Sequence, residues 1–266
     1  MSLIAVVGGK ASTGATVTSL ALTLSWPRDV LLAECDPAGG SVLTGYLGGQ
    51  IPADRGIAGL AVADYHGQFY DAFDDQLISL TETAPYRLLL PGVTDPAQSA
   101  GLTGLWAQLG NHLRQLERSD PPVDVIADCG RLPALHGPLP LLRYAHLTLM
   151  LVGRTLTSIA AARVRLPQLR REVDQGGGDL QLLVRGSGDY DAGEIAQHLG
   201  VPLLADLPED DKAATMLTTG AGTPRPSATL LRALNSAIPA MHTLIEARRA
   251  VPAPVAGPSS REATFA

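Results

Sequence analysis

"VVGGKASTGATVTSLAL", residues 6–22, is the stretch on which the fold turns. An apolar run ends in two glycines, a short loop follows, and then Val17, Leu20, Ala21 and Leu24 recur at helical spacing. Strand, glycine-rich loop and helix in that order have the form of a phosphate-binding loop, G-x-x-x-x-G-K-[ST]. Gly9, four residues, Gly14, Ala15 and Thr16 supply every element except the lysine, which is Ala15. The missing ammonium would contact the outer phosphates and follow their charge into the transition state. Losing one preorganised stabiliser of this kind costs ~10²–10³ in rate. Backbone N–H groups and the helix dipole remain, so anion binding is expected to outlive catalysis.

Outward from this loop, apolar runs alternate with helical patterns. The runs are 3–7, 30–35, 86–90, 123–128, 147–152, 180–184 and 201–206, several too continuously apolar for half-exposed strands. Buried parallel strands read this way. Leu102, Leu105, Trp106, Leu109, Leu113 and Leu116 form one helical stripe, Asp191 and Glu194 resemble a capping box opening a helix that ends at Gly200, and Leu230, Leu234, Met241 and Ile245 mark a last helix containing Pro239. The expectation is an α/β fold: a doubly wound, mostly parallel sheet of about seven strands with helices on both faces. Residues 1–250 read as a single domain and 251–266, rich in Pro, Ser and Ala, as a disordered tail.

Composition excludes several classes. With 266 residues, 45% hydrophobic, the chain can bury a sizeable core. Lys+Arg 20 against Asp+Glu 26 leaves a net charge of −6, which disfavours indiscriminate nucleic-acid binding. The run from Leu3 to Val7 is too short for a signal peptide, and no run has membrane-spanning length, so a cytoplasmic protein is expected. Two cysteines, Cys35 and Cys129, build neither a disulfide framework nor a four-ligand zinc site, and read as buried reduced thiols. Arg163, Arg165, Arg170 and Arg171 read as a solvated helix face, and His146 as structural.

In a doubly wound sheet, ligands bind beyond the carboxyl ends of the strands. After the second run comes "ECDPAGG" and after the fourth "DCGRL", each placing an acid at a strand tip. Asp128 has the form of a Walker B aspartate, and Asp36 occupies the equivalent place on the other strand. With the Thr16 hydroxyl, these carboxylates compose an oxygen-ligand magnesium site beside the phosphate cradle. Arg131, three residues past Asp128, reads as a surface residue rather than a substitute cation.

These motifs resemble the MinD/ParA family of deviant Walker ATPases, whose loop K-G-G-x-G-K-[ST]-[ST] aligns with Lys10, Ala11, Ser12, Thr13, Gly14, Ala15, Thr16 and Val17. The signature lysine is kept as Lys10 and the second lysine is lost. "AECDPAGGS" is similar to the family's D-x-D-P-x-G segment, and "LGVPLLADLPEDD" to the segment that borders the adenine, with Pro208 at its proline. The family's asparagine after the strand at 180–184 is replaced by "VRGSG". The resemblance implies ATP or ADP with Mg2+ on Gly9 to Val17 and Pro208, metal contacts from Thr16, Asp36 and Asp128, water positioning by Asp36, and Lys10 acting across a homodimer. Of 20 basic side chains only Lys10 and Lys212 are lysines, so a lysine in the loop points to a need for its compact ammonium.

Three function classes follow. The first, favoured by Ala15, is a spatial organiser or assembly factor for pilus, secretion or partitioning machinery, with weak or lost ATP hydrolysis, a protein partner, and membrane recruitment only through that partner. The second is an active ATPase of chromosome or plasmid partitioning. The third is an ATP-dependent enzyme of dethiobiotin-synthetase type, which would need the loop lysine even more.

Overall fold

The computed structural model describes residues 2–10, 13–52 and 54–250. Ala11, Ser12 and the tail reading for 251–266 lie outside the described residues.

Eight strands form one sheet in the order β3-β4-β2-β5-β1-β6-β7-β8. They are β1 (Leu3–Gly8), β2 (Val30–Glu34), β3 (Ile78–Ser79), β4 (Arg87–Leu90), β5 (Asp124–Arg131), β6 (Leu147–Gly153), β7 (Asp179–Arg185) and β8 (Leu203–Leu207). All neighbours pair in parallel except β3, which pairs antiparallel with β4 at the edge. Each of the seven apolar runs became a strand, so the expected doubly wound, mostly parallel sheet is the observed one. Leu3 to Val7 and Val125 to Ala127 are buried, as strands covered on both faces must be.

Helices cover both faces. One layer holds α2 (Ile57–Tyr65), α3 (Phe69–Ala72), α4 (Leu105–Gln115), α5 (Leu156–Gly176) and α6 (Ala192–Leu199), which bury Leu60, Phe69, Leu109, Leu166 and Ile195 against the sheet. The other holds α1 (Ala15–Ser25), α7 (Asp211–Thr219) and α8 (Thr229–Ala250), which bury Leu20, Leu217 and Leu234. The capping box at Asp191 and Glu194 is present, and α6 stops at Gly200 with φ 62°. The apolar stripe from Leu102 to Leu116 is only partly α-helical: its ends are 3₁₀ turns over Pro96–Leu102 and Leu116–Arg118.

Two buried polar side chains tie the sheet at the amino end of its strands. Asp124 accepts from Ser2 Oγ at 3.0 Å and Trp26 Nε1 at 2.8 Å, and pairs with Arg28 at 3.0 Å. His146 Nδ1 accepts from the Leu3 amide at 3.1 Å, and burial holds its imidazole down at about 4, so it sits neutral in a structural role. Among the described residues no helix is long and apolar enough to cross a membrane.

Candidate phosphate-binding site

The chain leaves central β1 toward β2 on one side, and β6 lies on the other, which opens a crevice at the carboxyl ends of β1, β2 and β5. The loop after β1 occupies it. Gly9 N–H donates to the Leu151 carbonyl at 2.9 Å, which holds the loop's first residues to β6. Gly14 ends the loop in the left-handed region (φ 81°) as the N-cap of α1, which a residue without Cβ adopts at low cost. No side chain caps α1 and no acid lies in its first turn, so its terminal N–H groups are left for another acceptor.

A cleft of about 390 Å³ faces these groups, lined by Lys10, Thr13 to Val17, Asp36 and Arg131 among others. The fold therefore brings Asp36, from the end of β2, to the loop and Thr16. Asp128 lies beneath the cleft, 1% exposed, accepting a hydrogen bond from the Thr16 side chain and one from the Gly130 amide at 3.1 Å. Burial raises its carboxyl to about 7, with Asp36 and Glu34 adding to the rise. Asp36 is half-buried, accepts from Ala38 N–H at 2.8 Å, and packs so closely on Gly130 that a Cβ there would stand 2.1 Å from Asp36 Cγ. Burial raises Asp36 too, while the charge of Arg131 opposes the rise. Arg131 is exposed, as expected, yet its charge is felt inside the cleft.

Glu34 is not in the cleft. Its buried carboxylate accepts from the amides of Ser41 (2.7 Å), Val42 (2.9 Å) and Gly92 (3.3 Å), fixing the turn that follows Asp36. Pro208 is half-buried and does not line the cleft. Its neighbour Glu209 lines an adjoining hollow of about 360 Å³ shared with Lys10, Thr13 and Arg185. The Cys35 and Cys129 thiols are buried and pushed up in pKa by that burial, which makes them poor nucleophiles. Among the described residues no set of three His, Cys, Asp or Glu side chains is gathered to hold a metal. A magnesium ion here would draw on Thr16 and Asp36 in the cleft, with Asp128 acting through Thr16.

Three side-chain hydrogen bonds tie the loop to its surroundings, two of them from outside it. Lys10 Nζ donates to Thr157 Oγ1 at 3.1 Å, Arg165 Nη1 to the Gly9 carbonyl at 3.2 Å, and Arg185 Nη1 to the Thr13 carbonyl at 3.3 Å. The expectation of a solvated face fails for Arg165, which is half-buried against the loop. Arg185 stands where the resemblance expects asparagine. No spacing in the sequence marks it, because its reach spans β6 to arrive at a loop on β1.

Comparison of the fold with solved structures gives close geometric matches at low identity. MinD from Pyrococcus horikoshii complexed with Mg-ADP superposes with TM-score 0.71 at 16% identity, over 93% of this chain and 98% of that one. This chain shares the MinD fold. A chain of the MinC:MinD cell division complex of Aquifex aeolicus matches with TM-score 0.65 at 15% identity over 97% and 99% of the two chains. Cobyrinic acid a,c-diamide synthase from Mycobacterium smegmatis, with bound ADP and magnesium, matches with TM-score 0.60 at 22% identity over 91% and 94%. No family model matches the sequence, and no curated protein aligns with it.

Proposed function

We propose that the chain is a divergent MinD/ParA-like protein that organises or assembles a larger structure through a protein partner, with nucleotide held weakly and hydrolysed near background. The observation that carries this reading is Ala15. It lines a cleft that otherwise presents an uncapped α1 N-terminus, a loop hydroxyl and an aspartate at a strand tip. Magnesium, when bound, would offset phosphate charge from its seat at Thr16 and Asp36. The residues fit a phosphate ligand, and the α1 amides would orient it. The cation that should follow the charge into the transition state is absent, which favours a binding role over a catalytic one. Two proteins similar in fold are seen with ADP and magnesium, and a third is part of a complex with a protein partner, which supports the same reading.

Self-association belongs to it. Lys10 is exposed at the same carboxyl end of the central strands as Leu135, 83% exposed after β5, and Leu156, 64% exposed at the start of α5. Uncovered leucines beside the signature lysine fit a two-fold dimer through this face. The test is calorimetry with Mg-ATP on the wild type and on Ala15→Lys. Weak wild-type binding strengthened by the substitution is expected, and tight wild-type binding, or no gain, would show that Ala15 is not the defect.

A further inference from the structure

The four arginines of α5 have separate fates. Arg165 holds the phosphate loop, and Arg170 Nη2 donates to the carbonyls of Leu199 and Gly200, satisfying the end of α6. Arg163 and Arg171 are exposed and, among the described residues, neither hydrogen-bonds nor pairs with a carboxylate. Both line a groove of about 550 Å³ between α5 and α6. Leu166 and Leu199 lie largely buried at its base with Pro167 exposed beside them, and it carries three arginines and His198 against one aspartate. On a chain of net charge −6 this is a concentrated basic site.

At the other end of the same helical layer lies its chemical complement. α2 hangs from the end of β4, where the Ile57 amide donates to the Pro91 carbonyl at 2.8 Å, whereas α6 packs on β7 and β8. The α2–α3 turn exposes Val62, Tyr65 and Tyr70, with Tyr65 88% exposed. Asp71, Asp74 and Asp75 stand exposed beside them and form no ion pair among the described residues.

We propose that the groove between α5 and α6 receives the α2–α3 patch of a second copy of this chain. The apolar side chains at its base take the tyrosines while Arg163 and Arg171 meet the aspartates. That apolar base and the acidic net charge favour a protein occupant over a phosphodiester backbone. Because the two surfaces differ and lie at opposite ends of one layer, the contact is head to tail, adding copies until the rotation between them closes a ring or running on as a filament. It uses no residue of the phosphate cleft, so it stands apart from the two-fold dimer proposed above. Its rim charges are exposed, so it is weak and salt-sensitive.

The test is sedimentation of the full nucleotide-free chain up to ~200 µM at low salt and at about 0.5 M salt, where charges are screened beyond ~4 Å. Association at low salt that falls away at high salt is expected. Arg163→Glu with Arg171→Glu, and separately Asp71→Lys with Asp75→Lys, should each weaken it by roughly tenfold or more. All four positions are exposed, and a thermal melt of each variant checks its folding. Mixing the two variants in equal amounts restores opposite charges at every contact and should restore association. A monomer under all conditions, association indifferent to the groove variant, or no recovery on mixing would overturn the proposal. So would binding of duplex DNA, lost in the groove variant, by a chain that does not self-associate.

Discussion

The Arg185 guanidinium lies directly against Gly14: a Cβ added to Gly14 would stand 1.7 Å from Arg185 Nη1. Glycine is favoured at 14 by its φ of 81°, and a Cβ there would in addition force the Arg185 guanidinium to shift. Gly14→Ala is expected to cost roughly 1–3 kcal/mol. In an Arg185→Ala background the same change should cost less, because only the backbone strain remains. Urea denaturation of the four proteins forms a double-mutant cycle, and equal costs in both backgrounds would deny the contact any energetic weight.

Asp128 makes folding sensitive to pH. Its folded carboxyl titrates at about 7, above the ordinary carboxylate range, so the native state holds its proton where the unfolded chain has released it. The stability linked to that proton is full below pH ~4 and is lost as pH rises through 7. Asp128→Asn, which cannot ionise, should therefore gain stability over the wild type at pH 8, on the order of a few kcal/mol, and little at pH 4. Denaturant midpoints at the two pH values check the sign. A gain of equal size at both would mean that ionisation is not the cause.

Phosphate release from Mg-ATP should lie near background, and Asp36→Asn should leave it there. Turnover well above background that the substitution abolishes would make the protein a working ATPase despite Ala15, since one missing stabiliser costs ~10²–10³ rather than everything.

Lys10 offers a test of the two-fold dimer. Lys10→Glu reverses an exposed charge whose only side-chain hydrogen bond among the described residues is to Thr157 Oγ1, so folding should survive and face-to-face association should not. Sedimentation with and without ATP distinguishes the outcomes, and a wild type whose association ignores this substitution would place the interface elsewhere.

The strands were legible because parallel strands covered on both sides must be continuously apolar, and the runs at 3–7 and 147–152 are. β3 was not, since Ile78–Ser79 is too short to show any period. Nor was α2, which buries only Ile57 and Leu60 and leaves Val62 and Tyr65 in solvent, so it lacks a clean apolar stripe. At the site, Thr16 and Asp36 could be named because each follows a strand, and Asp128 because it ends an apolar run, although β5 continues past it to Arg131 and leaves it buried beneath the cleft. Arg165 and Arg185 could not, because their role depends on which loop lies within reach of a long side chain across the sheet. Glu34 stands at the first acid of the segment similar to D-x-D-P-x-G, and only its three amide donors show that it shapes the turn.

Those outer tethers have a further consequence. With the carbonyls of Gly9 and Thr13 clamped from helix α5 and strand β7, both springing points of the arch are set before any anion arrives. An incoming phosphate need not spend its attraction on ordering them. In a cradle stripped of its catalytic cation, the weak affinity that the α1 amides supply is then not lost to ordering the loop, and loosening Arg165 or Arg185 would erode it from outside the cleft.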